Sequence, residues 1–192
     1  MEGGLAGGKS TFEADEEAWQ TVRSMKETLQ EINALQDAGV IGQSAIGGAM
    51  GATFYLEPIS TYDLDIFVLF DSPPLILTPI YDFLRARGHE PEGDVVSVCG
   101  WPVQFLPAES PLLKEAVEQA VTVDFEGVPT RVMTAEHLAA IALQTGRAKD
   151  FARLVAFVES GTLTADQLTD ILARHDLADA WNRFEAKYLT HP

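Results

Sequence analysis

Apolar residues recur every three or four positions between residues 12 and 38, through Trp19, Val22, Met25, Leu29, Ile32 and Leu35. That spacing predicts one amphipathic helix, with Gly39 as its stop. The period then shortens. Ser44-Ala45-Ile46 reads as a short strand, followed by the pair Gly47-Gly48 and a short helix through about Tyr55. Residues 62–70 form the next strand. Side chains two apart share a face, so Asp63, Asp65, Phe67 and Leu69 lie on one side and Leu64, Ile66, Val68 and Phe70 on the other. Pro73 and Pro74 end this strand, and residues 77–87 form a helix stopped by Gly88.

Two strands at 95–99 and 102–106 are joined by a turn at Gly100. Ser110 and Pro111 supply an N-cap and a first-turn proline for a helix to about Ala120. Strands at 121–125 and 128–132 flank Glu126-Gly127 as a hairpin. Helices follow at 135–144, 147–159, 165–174 and about 177–189, and Thr164 with Gln167 matches a capping box for the third of these. The layout is α+β, or mixed α/β: a flexible leader at 1–11, a body at 12–132 and a helical C-terminal part at 133–192 packed on it. Gly3, Gly8, Lys9 and Ser10 have the spacing of a phosphate-binding loop, but only Met1 and Glu2 precede them. The motif works when a buried strand feeds it, so this segment is assigned to the leader.

A hydrophobic content of 46% in 192 residues supplies a sizeable core. No apolar run approaches the roughly 20 residues of a membrane-spanning helix, and no secretory signal is recognised, so a soluble cytoplasmic protein is expected. Cys99, the single cysteine, falls in an apolar run and is assigned to the core. With 29 acidic against 13 basic residues the net charge is −16, which repels a nucleic-acid backbone and favours a metal-escorted nucleotide or a protein partner. The histidines His89, His137, His175 and His191 show no metal-ligand spacing and are assigned surface or capping roles. The tryptophans are assigned to packing.

Candidate chemistry centres on Asp63 and Asp65. Two carboxylates side by side on one strand face repel each other, and a divalent cation relieves that repulsion; hard oxygen ligands suit Mg²⁺ with substrate phosphates. The alternative is a pair of acids protruding into water at the strand's start. Upstream, Gly47 and Gly48 let backbone amides approach phosphate oxygens, and Ser60 and Thr61 offer hydroxyl donors; a tight turn with close helix packing would also demand glycine.

Together these residues resemble the signature of the nucleotidyltransferase superfamily, a glycine pair followed a dozen or so residues later by Asp-x-Asp. The stretch Val132-Met133-Thr134-Ala135-Glu136-His137-Leu138, followed by Gly146-Arg147-Ala148-Lys149-Asp150, is similar to AbiEii-type nucleotidyltransferases of type IV toxin-antitoxin systems, and the resemblance spans roughly 40–160. It implies a nucleotidyltransferase-type mixed sheet flanked by helices, a metal-dependent transfer of NMP from an NTP, Mg²⁺ or Mn²⁺ held by Asp63 and Asp65, Lys149 facing the phosphates, and a cognate protein partner. Arg147 and Asp150 are assigned to capping and solvating a helix start. Two departures stand out. Gln104 occupies the place of a third carboxylate, with Asp124 as a candidate substitute, and no arginine stands near Glu57 or Pro58. A catalytically impaired binding module is therefore the competing expectation.

Overall fold

The computed structural model describes residues 11–57, 61, 63–70 and 76–189, with side chains from residue 24 onward. The chain begins with α1 (Thr11–Asp37), β1 (Ser44–Ile46), α2 (Gly48–Ala52), β2 (Leu64–Val68) and α3 (Thr78–Ala86). It continues through β3 (Pro91–Glu92), β4 (Val95–Val98), β5 (Trp101–Pro107), α4 (Pro111–Glu118), β6 (Val121–Phe125) and β7 (Val128–Val132). Four helices follow: α5 (Ala135–Thr145), α6 (Ala148–Glu159), α7 (Ala165–Arg174) and α8 (Ala178–Tyr188). The strands form one 7-stranded mixed sheet in the order β3-β4-β5-β2-β1-β7-β6. Its parallel pairs are β2 with β5 and β1 with β7. Among the described residues no helix is long and apolar enough to cross a membrane.

Alternation along the central strands separates two cores. Leu64, Ile66 and Val68 of β2, with Val103 and Phe105 of β5, pack with Met25, Leu29, Ile32 and Leu35 of α1 and Ile80 and Leu84 of α3. On the opposite face Phe67 and Leu69 pack against the cluster built by α4 to α8, which contains Ala139, Leu154, Phe157 and Leu172. The period-2 and period-3.6 patterns thus meet where both are apolar. Asp65 and Gln104 fall on the second face, in register with one another across β2 and β5.

Several boundaries differ from the sequence expectation for identifiable reasons. Cys99 is a turn residue and is only half-buried: Val98 pairs directly with Trp101, so Cys99 and Gly100 are the two central residues of a hairpin, at φ +49 and +91. Such two-residue turns require positive φ at both positions. The strand containing Asp65 starts at Leu64, leaving Asp63 on the segment that enters it. The two-residue β3 is too short to show any period. Thr164 makes no side-chain cap bond. Its backbone N–H donates to the buried carboxylate of Glu136, 2.9 Å away on α5, which satisfies from another helix the donor that Gln167 would serve in a capping box. The glycine-rich leader lies outside the described residues.

One side chain joins the sheet to α4. Arg131 on β7 donates to the carbonyls of Val117 (2.8 Å), Glu118 (3.3 Å) and Ala120 (3.4 Å) and to Ser44 O on β1 (3.1 Å). Val117 O also accepts from Ala120 N at 3.3 Å, whereas Glu118 closes α4 and its carbonyl has no partner further along the helix. Arg131→Met is expected to lower unfolding free energy by about 1–2 kcal/mol, because the stem's packing remains while these carbonyls lose their donor. Urea unfolding checks it; a midpoint equal to the wild type's would remove this role.

Candidate active site at the carboxylate cleft

β2, β5, α2 and α6 frame a cleft with two adjoining lobes of about 990 and 400 Å³. Asp63, Gln104, Lys149, Arg153 and Ala49 border both. Gly48, Asp65 and Asp150 line the smaller lobe, while Thr61 and Asp94 line the larger.

The glycine pair acts on this site through packing. Gly47 is buried, and its N–H donates to Asp65 O at 3.0 Å, continuing the β1–β2 ladder. A Cβ on Gly47 would lie 2.6 Å from the Phe67 ring, and one on Gly48 would lie 1.9 Å from Asp65 Oδ2. Gly48 also has φ +59, a left-handed conformation that only glycine adopts freely. The backbone at Gly48 therefore lies directly against the Asp65 carboxylate. Thr61 meets the other acid: its hydroxyl donates to Asp63 Oδ1 at 3.0 Å. Ser60 lies outside the described residues.

Asp65 is half-buried, and its pKa is raised, first by burial and then by the neighbouring Asp63, with Lys149 and Arg153 opposing the rise. An acid under that pressure is stabilised in its ionised form by added positive charge. Among the described residues no group of three His, Cys, Asp or Glu side chains converges to hold a metal ion. Asp63, Asp65 and the neutral amide oxygen of Gln104 fit a hard cation that takes its remaining ligands from substrate phosphates and water, the manner in which Mg²⁺ is commonly bound.

Asp124 is excluded as a substitute for the third carboxylate. It stands on the edge strand β6, three places from β2 in the sheet, and its Oδ1 accepts from Gly127 N at 2.9 Å to close the hairpin. Asp150 is not a solvated helix-start residue; it is buried and faces the small lobe. Arg147 is the N-cap of α6 but makes no side-chain cap bond, and it too borders the small lobe. Arg153 escaped the sequence reading altogether. Its signal was the i,i+4 spacing from Lys149, which puts both cations on one face of α6.

No protein-family model and no curated protein matches the chain. Solved structures do. The solution structure of the antibiotic-resistance factor ANT(2'')-Ia aligns over 90% of this chain and 100% of its own, with a TM-score of 0.52 at 14% identity. The chain has the nucleotidyltransferase fold. An antigenic nucleotidyltransferase-like protein from Paracoccidioides brasiliensis aligns over 83% of this chain and 91% of its own, with a TM-score of 0.53 at 13% identity. ANT(2'')-Ia in complex with adenylyl-2''-tobramycin aligns over 88% and 98%, with a TM-score of 0.50 at 14% identity. Within this nucleotidyltransferase fold, the cleft beside Asp65 opens between the mixed sheet and the N-terminal end of α6.

Proposed function

We propose that the protein transfers a nucleoside monophosphate from an NTP to an acceptor hydroxyl, in the manner of an AbiEii-like nucleotidyltransferase. The observation that carries this reading is the convergence of Asp63, Asp65 and Lys149 on one cleft of the nucleotidyltransferase fold. Asp63 and Asp65 would hold the divalent cation, Mg²⁺ or Mn²⁺, with Gln104 contributing its amide oxygen. A bound cation neutralises triphosphate charge and makes the α-phosphorus more electrophilic. Thr61 orients Asp63 through its hydroxyl, Gly48 leaves the room in which the Asp65 carboxylate sits, and Lys149 meets the phosphates. The acceptor oxygen bonds to the α-phosphorus, the bond to the bridging oxygen breaks, and pyrophosphate leaves with that electron pair; the acceptor proton passes to solvent.

A small hydroxylated molecule is the acceptor class we favour. The net charge of −16 disfavours RNA, and the similar ANT(2'')-Ia was solved with adenylyl-2''-tobramycin. One observation supports a second reading, a protein that binds nucleotide, and through it a protein partner, without turnover: Gln104, beside Asp65, brings no charge to the site.

Thermal unfolding with and without nucleotide tests the proposal. Saturation at about 100 times Kd stabilises a native state by about 2.7 kcal/mol, which raises Tm by roughly 5–10 °C in a chain of this size. That rise is expected with Mg²⁺ and NTP together and is expected to disappear with a chelator or in Asp65→Asn. The variant itself should be no less stable than the wild type, because it removes a half-buried charge repelled by Asp63. A metal-independent rise that survives Asp65→Asn would defeat the proposal. A metal-dependent rise without pyrophosphate release on any acceptor would select the second reading.

A further inference from the structure

Arg153 has no role in the reading above, and its surroundings call for one. Its side chain is only 14% exposed, and its Nε is buried without a hydrogen-bond partner. The nearest counter-charge is Asp150 Oδ1, 3.6 Å from Nη1, longer than an N–H···O hydrogen bond. Asp150 Oδ2 is likewise buried and unpartnered. A guanidinium cannot discard its charge, and its rigid fork of donors is costly to bury with bonds unmade. Arg153 keeps its fork free of Asp150 while bordering both lobes of the cleft beside Lys149. It shares both lobes with Asp63 and Gln104, on the opposite wall of the cleft.

We propose that Arg153 and Lys149 form a two-cation seat for the β- and γ-phosphates, so that Arg153 makes the site require a nucleoside triphosphate. This rests on the nucleotidyltransferase reading. Lys149 supplies a mobile point charge on an exposed stem, and Arg153 a preorganised fork that matches two phosphate oxygens at once. A monophosphate reaching the Asp63–Asp65 wall has no group to place there. Asp150 is a positioning residue that holds the arginine's far end without consuming its donors.

Equilibrium titration of the whole protein with Mg²⁺ and three probes, α,β-methylene-ATP, α,β-methylene-ADP and AMP, tests this. The wild type is expected to bind the triphosphate at least about tenfold tighter than AMP, the scale of one charge-assisted contact. In Arg153→Gln that preference should fall by about tenfold, with AMP affinity changed by less than about twofold. Arg153→Lys keeps a charge for Asp150 but loses the fork; it should recover only part of the preference, and it decides the matter if the glutamine variant does not fold. Folded variants that keep the full triphosphate preference would overturn the inference alone, as would a wild type that binds triphosphate and AMP equally. A wild type that binds none of the three probes would overturn the nucleotidyltransferase reading itself, and this inference with it.

Discussion

Gly48→Ala is expected to reduce the proposed nucleotidyl transfer at least about a hundredfold while costing only about 1–2 kcal/mol of stability. The stability cost follows from φ +59, where a Cβ crowds the following carbonyl. The activity cost follows from the 1.9 Å between that Cβ and Asp65 Oδ2, far below any real contact. The colliding atom is the end of a side chain, so the carboxylate can swing aside and the chain can still fold. It then no longer points where it did beside Gln104. Misplacing a reacting or ligating group by about 1 Å commonly costs on the order of a hundredfold in rate. Gly47→Ala provides the contrast. Its φ of −122 is open to any residue, and its Cβ would strike the Phe67 ring and approach Met133 Sδ at 3.1 Å, so it should lose stability first. Pyrophosphate release measured beside urea unfolding separates the two. Gly48→Ala with activity within about twofold of wild type would show that Asp65 need not stand where Gly48 lets it.

The second large effect lies away from the cleft. Glu115 on α4 accepts from Arg174 and His175 at the end of α7, with His175 Nε2 at 2.7 Å, and faces His137 Nε2 on α5 at 3.4 Å. These partners hold its pKa down to about 2 from an ordinary 4.5, chiefly through the Arg174 hydrogen bond. The unfolded chain therefore takes up this proton at a higher pH than the folded one. Glu115 contributes its stability fully above pH 4.5 and loses it as pH falls from 4.5 towards about 2. After a discount for the solvent that screens half-exposed Arg174, the contribution is about 2 kcal/mol. His137 adds to the same acid sensitivity: burial lowers its pKa from 6.5, so the unfolded state gains its proton first as pH falls below that value. Glu115→Gln is expected to lose about 2 kcal/mol at neutral pH and to show a flatter stability curve between pH 4.5 and 2. Urea unfolding at several pH values checks it. A variant whose curve runs parallel to the wild type's would place the acid sensitivity elsewhere. The assignment of His137 to a surface or capping role is corrected by the same cluster, since His137 is fully buried and its ring faces Glu115, whereas His175 does stand at the C-cap of α7 and turns its ring onto the same carboxylate.

Local chemistry made much of the architecture readable. The hairpin at Glu126-Gly127 and the helix α7 have the bounds that turn residues and periodicity predict. Alternation along residues 64–70 separated the apolar face from the face of Asp65, and the two cores follow that division. Where a feature depends on a distant partner, the pattern misled. Asp124 looked like a candidate ligand because a strand residue's sequence position says nothing of which edge it occupies. Thr164 looked like half of a capping box because Glu136, 28 residues away in sequence, cannot be seen to compete for the same N–H.

The sequence by itself determined the elements other than β3 and the two faces of the central strand, because helical and strand periods are properties of neighbouring residues. It also determined that Gly47 and Gly48 are special, though packing supplies the reason that composition could not. Only the tertiary structure decided that Gln104 stands beside Asp65, that the Lys149–Arg153 face of α6 meets Asp65 across one cleft, and that Glu115 gathers side chains from α5 and the end of α7. Each of these is a meeting of side chains far apart in sequence, fixed by strand order and helix packing rather than by any local preference.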